Sequence, residues 1–129
     1  MKSISRFEEL EIWQLARRIN KKIYHLVKST ELKNDFVLRN QIERSAGSLM
    51  DNIAEGFERE GNKEFINFLS IAKGSCGELR SQLYRILDRN YIPEDEFNVL
   101  DEISLIEIKR IHAMMAYLKR TSMKGSKFK

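Results

Sequence analysis

Two histidines, one cysteine and a scatter of carboxylates are the side chains of this 129-residue sequence best suited to catalysis, and their spacing argues against that use. His25 and His112 stand far apart, with no HExxH pair and no Cys/His cluster at zinc spacing, so neither has the co-ligands a metal requires. Both read as surface or edge residues. Cys76 falls in an apolar series at helical spacing, where a thiol acts as a small inert hydrophobe rather than a nucleophile. Glu55 and Glu78 are candidates for a di-metal site in a helical bundle, but such a site uses inward-facing Glu-x-x-His pairs, and Glu55 lies opposite the apolar face of its segment. Gly74 and Gly77 sit inside a helical pattern and cannot form a phosphate-cradling loop. The expectation is a protein with no catalytic residue, no metal and no cofactor.

Charge gives a second kind of chemistry. The formal charge of +4 is placed unevenly. Residues 119–129 carry Lys119, Arg120, Lys124, Lys127 and Lys129 with no acid, leaving 18 positive against 19 negative residues over 1–118. Within that nearly neutral body, residues 12–30 hold Arg17, Arg18, Lys21, Lys22 and Lys28 and no Asp or Glu. Local cationic excess of this kind suits a polyanion: phosphates neutralised by Lys and Arg release counterions and give affinity independent of base sequence. The plain alternative is that these residues only solubilise the fold. No RRM, KH or zinc motif points to base-specific readout.

Four long segments show apolar residues at helical spacing and none shows sustained strand alternation. The pattern predicts helices over 5–28, 31–58, 62–90 and 93–121 in one domain over 1–121, followed by a basic, flexible tail over 122–129. Gly56, Gly61 and Asn62 supply a break and a cap between the second and third helices, and Pro93 followed by Glu94, Asp95 and Glu96 suits a helix start. Short connections make consecutive helices antiparallel, so the expected fold is all-α, an up-and-down four-helix bundle. No apolar run is long enough to cross a bilayer. A single cysteine and no apolar leader suggest a reducing cytoplasm.

On a helical wheel the third helix has a narrow core stripe of Phe65, Phe68, Leu69, Ala72, Ser75, Cys76, Leu79, Leu83, Ile86 and Leu87. The first helix differs. Ile12, Trp13, Leu15, Ala16, Ile19, Ile23, Tyr24, Leu26 and Val27 cover about half its circumference, as do the apolar residues of the fourth, more than one bundle needs to bury. Two further stripes lie away from the core. Gln41, Arg44, Ser48, Asn52 and Glu55 line the second helix as a candidate hydrogen-bond network, and Ser70, Gly74, Gly77 and Ser81 line the third with nothing larger than serine. Each glycine in a helix costs about 0.5–1 kcal/mol relative to alanine. The small stripe therefore suggests that another backbone passes close by, in a second subunit, against the alternative that both stripes face water.

These features match a known family closely. Phe7, Leu10 and Trp13 open the chain, Gln41, Arg44, Ala46 and Ser48 follow, then Asn52, Ile53, Ala54, Glu55, Gly56 and Phe57, then Glu64 and Phe65, and finally Ile71 through Leu79. Over about residues 5–118 the chain resembles the four-helix-bundle proteins of the 23S rRNA intervening-sequence family. The resemblance implies a ring-like homopentamer, encoded in some bacteria within insertions in large-subunit rRNA genes. The architecture is also similar to the basic pentameric accessory protein of diversity-generating retroelements, which engages nucleic acid and a reverse transcriptase. Thr30 and Glu31 replace a Phe-Pro common in relatives, and Met50 replaces a proline, changes expected to alter helix entry and curvature only. The expected function is a non-catalytic oligomeric scaffold for structured RNA or a nucleic-acid-processing partner. A purely protein-binding scaffold is the alternative.

Overall fold

The structure, a computed structural model, describes residues 3–123. Four helices carry it: α1 (Glu11–Ser29), α2 (Phe36–Glu58), α3 (Asn62–Asp88) and α4 (Glu94–Met123), with no strand among the described residues. α2 packs on α3, α3 on α4 and α1 on α2. The α1–α4 seam closes the bundle more thinly. The end of α4 comes back beside the start of the chain, where Met114 and Tyr117 line one groove with Ile4 and Leu10.

The two early helix starts need correction. Residues Phe7–Glu9 form a separate 3-10 turn, and Leu10, extended and buried, precedes α1. Likewise Glu31–Asn34 is a 3-10 turn and α2 begins at Phe36. A 3-10 turn also places residues three apart on one side, so apolar spacing alone does not separate it from the α-helix that follows. The caps do. Thr30 accepts from the Leu32 N–H at 3.2 Å, and the Asp35 carboxylate accepts from the Leu38 N–H at 3.4 Å. At the far end α3 stops at Asp88, two residues short of the expected limit, because Asn90 takes a left-handed φ of 60° and turns the Tyr91 N–H back to the Ile86 carbonyl at 3.1 Å. α4 runs on to Met123, two residues past the expected limit, with Lys119 and Arg120 inside it. The remaining tail cations, Lys124, Lys127 and Lys129, lie outside the described residues.

Between α2 and α3 only Gly61, at φ 91°, is a breaker. Gly56 lies buried inside α2, where a Cβ would come within 2.7 Å of Phe68 Cβ and 3.0 Å of Phe65 Cδ1. It is the place where α2 and α3 approach most tightly before the turn. Asn62 does not cap α3. Its amide donates across the bundle to the Leu118 carbonyl (3.1 Å) and to Thr121 Oγ1 (2.9 Å), fastening the end of α4.

The core stripe of α3 is buried as expected except at its rims, where Phe68 and Leu87 are half-buried. The broad apolar arc of α1 needs no other subunit to cover most of it. Ile12, Leu15, Ala16, Ile19, Ile23, Leu26 and Val27 are all buried within this chain, leaving Trp13 half-buried and Tyr24 exposed. α4 keeps a surplus, with Val99, Leu105 and Ile106 exposed.

Candidate nucleic-acid interface

Because α1 buries an arc toward the other helices, its remaining face is set by helical geometry. At about 100° per residue, Arg17, Lys28, Lys21, His25, Arg18 and Lys22 follow one another across that face, with Trp13 and Tyr24 along one edge. Arg17, Arg18, Lys21, Lys22 and Lys28 are all exposed, and none is paired with a carboxylate among the described residues. Ion pairs among the described residues lie elsewhere. Arg59 pairs with Glu55 at 2.8 Å, Arg80 with Asp101 at 2.8 Å, and Arg89 with Asp35. Two of the α1 cations lie against rings: Arg17 is 5.8 Å from the centre of Trp13 and Lys28 5.2 Å from that of Tyr24. On the α4 side, Lys21, Lys22 and His25 rim a groove of about 320 Å³ floored by Leu26, Val99 and Leu100.

The aromatic edge was legible as spacing but easily misassigned, since Trp13 and Tyr24 fall at the margin of the apolar arc. Of the other candidate cations, Lys119 and Arg120 are exposed near the end of α4, away from Lys28, with Arg120 6.0 Å from the Tyr117 ring centre. The structure therefore keeps the two basic regions apart.

The polar stripe of α2 is divided among neighbours rather than joined into one network. Gln41 accepts from Arg85 of α3 at 2.7 Å, and Glu55 pairs with Arg59. Ser48 bonds Ser75 across the α2–α3 interface at 2.8 Å, while the Asn52 amide reaches back to the Ser48 carbonyl and hydroxyl. Arg44 is exposed. Ser70, Gly74, Gly77 and Ser81 are exposed too, and a Cβ on either glycine would meet nothing within 4 Å. Among the described residues, then, no backbone passes close to either glycine of that stripe.

Reactive groups remain dispersed. His25 and His112 are both exposed, His112 Nδ1 lying 3.3 Å from Lys73 Nζ. Among the described residues no cluster of His, Cys, Asp and Glu could hold a metal ion. Burial pushes the Cys76 thiol up to about 12, with the nearby Glu107 carboxylate adding to the effect, which disfavours the thiolate. Glu107 itself is the residue that sequence reasoning passed over. It is 0% exposed on the inner face of α4, and both carboxyl oxygens lack a hydrogen-bond partner. Burial raises its pKa to about 8, against a weaker downward pull from Arg110. The signal was its register: Leu100, Ser104, Glu107 and Ile111 recur at intervals of three and four on the core side.

With this geometry in hand, the comparison with known proteins is decisive for family. The model of the 23S rRNA-intervening sequence protein family matches residues 8–115. The chain belongs to that family. Among solved structures it is similar to a protein of unknown function from the S23 ribosomal protein family of Bacteroides thetaiotaomicron, with 25% identity and a TM-score of 0.75 over 81% of this chain and 95% of that one. No curated protein matches the chain. The all-helical architecture is thus shared with the family. No helix among the described residues is long and apolar enough to cross a membrane.

Proposed function

We propose that this 23S rRNA-intervening sequence family protein is a non-catalytic, homo-oligomeric scaffold that binds structured RNA through the basic face of α1. One observation carries the reading: five exposed cations share that one face with no carboxylate partner among the described residues, whereas Arg59, Arg80 and Arg89 elsewhere are paired. Unpaired cations are free to neutralise phosphates, whose condensed counterions are then released. Exposed Leu105 and Ile106 on α4, with the open stripe Ser70, Gly74, Gly77 and Ser81, favour contact with further copies, which is compatible with a homopentamer. Repeating a modest basic face around a ring multiplies avidity without any new contact. The same exposed apolar residues favour the second reading, a purely protein-binding scaffold.

Filter binding of the purified oligomer to ribosomal RNA at two salt concentrations tests the choice. Charge reversal at Arg17, Arg18 and Lys21 is expected to weaken binding and flatten its salt dependence, and removal of residues 119–129 to do so independently. Binding absent at low salt, or indifferent to both changes, would favour the protein scaffold.

A further inference from the structure

We infer that the α1 face takes single-stranded RNA, with Tyr24 as a stacking platform for an unpaired base; this rests on the RNA-binding reading above and narrows its ligand. A face that only neutralised phosphates would need cations and nothing else. This one carries an aromatic edge. Tyr24 is a large ring left 59% exposed in the middle of a basic helix, although the same turn holds buried Ile23, Leu26 and Val27. Neither core packing nor solubility asks for a tyrosine there.

Its surroundings suit a base. Lys28 sits over the ring at 5.2 Å from its centre, and Lys21 and His25 follow next around the helix. A strand whose phosphates run along these cations would bring a base to the ring, and every base offers a π-face, so no base preference follows. Trp13, three turns earlier on the same edge and about 16 Å away along the helix axis, repeats the cation–ring pairing with Arg17 but is half-buried against Phe7. At the other edge, the groove floored by Leu26, Val99 and Leu100 offers apolar surface beside Lys21 and Lys22, with Glu96 also on its rim. Duplex RNA has its bases stacked internally and presents chiefly phosphates and 2′-hydroxyls, so it gains from the cations but not from the ring. Single-stranded loops within a folded RNA gain from both.

The test compares a fluorescein-labelled 20-nucleotide oligouridylate with a 20-base-pair RNA duplex, using the full chain and its Tyr24→Ala and Tyr24→Phe variants. Tyr24 is exposed, so neither substitution opens a core cavity, and circular dichroism verifies the helical fold. The single strand is expected to bind more tightly than the duplex. Tyr24→Ala should lose roughly 10-fold in affinity for the single strand and leave the duplex unchanged, while Tyr24→Phe keeps wild-type affinity. Equal binding of both RNAs with Tyr24→Ala unchanged, or a loss shared equally by both RNAs, would overturn this inference while leaving phosphate binding intact. Binding of neither RNA at low salt would overturn the RNA-binding reading together with it.

Discussion

Replacing Glu107 with methionine should stabilise this protein progressively more as pH rises. The carboxyl is wholly buried with neither oxygen partnered, and its pKa of about 8 lies far above the usual 4.5. Between those values the folded chain holds a proton that the unfolded chain has released. Folding therefore takes up a proton, and the stability contributed by the neutral carboxyl, fully present below about 4.5, is lost as pH climbs to about 8. The slope is about 1.4 kcal/mol per pH unit, so the loss across the window is on the order of 5 kcal/mol, a large share of a small domain's stability. Methionine has a similar length, no charge and no polar atom that must be satisfied.

Urea unfolding of wild type and Glu107→Met at pH 5, 6.5, 8 and 9, at one fixed protomer concentration because association shifts the midpoint, measures the difference directly. Ionisable groups common to both proteins cancel in the comparison. The variant is expected to gain several kcal/mol on wild type between pH 5 and 8 and little beyond pH 9. A difference between the two proteins that stays constant with pH would refute the reasoning, since it would mean that Glu107 does not change its ionisation on folding.

Gly56→Ala should lower stability by about 1–3 kcal/mol in the same assay, because its Cβ would meet Phe68 Cβ at 2.7 Å. Gly74→Ala and Gly77→Ala, with open space around each, should instead raise it by roughly 0.5–1 kcal/mol apiece. If that stripe meets another copy, Gly74→Leu will reduce the mass seen by light scattering with little change in helix content. Asp35→Asn weakens the cap of α2 and its bonds from Tyr91 and Arg89, so it should lower the thermal midpoint near neutrality. The hydrogen bond from Tyr91, with help from Arg89, holds the Asp35 pKa below its ordinary value. Its contribution is therefore present above about pH 4 and fades as acid protonates the wild-type carboxylate, so the gap to the variant should narrow in acid. Cys76 should react with a thiol reagent such as Ellman's only at the rate at which the bundle opens.

The helical periodicity carried the fold because the buried positions of α2 and α3 obey it almost without exception, from Leu38 to Ile53 and from Phe65 to Ile86. It failed at Phe7 and Leu32, where 3-10 turns keep the same three-residue spacing. It also overstated the apolar surplus of α1. A wheel shows how wide an arc is but not how far neighbours wrap around it, and here α2 and α4 cover all but its margin. The basic residues of α1 were visible as composition. What composition could not show was that they have no acidic partners, since pairing depends on which helix lies alongside. The acidic Glu94, Asp95 and Glu96 give an example: they follow Pro93 at the start of α4, and of the three only Glu96 comes near the basic face, beside Lys21 and Lys22. Glu107 was hidden by the opposite habit, in which a lone carboxylate in a helix is assigned to water by default.

The thin seam between α1 and α4 has a consequence for the order in which the bundle assembles. α2 and α3 share the densest packing and are separated by only residues 59–61, so their hairpin closes a short loop and can form early. α4 adds to it along α3. α1 must dock last against a platform already built, held mainly on its α2 side by contacts such as the Asn20 amide on the Ala46 carbonyl at 2.7 Å. Native-state amide exchange should therefore protect α3 most and release α1 first. The helix that carries the unpaired cations is the one the fold can most easily let go, and an RNA that grips it would slow its release.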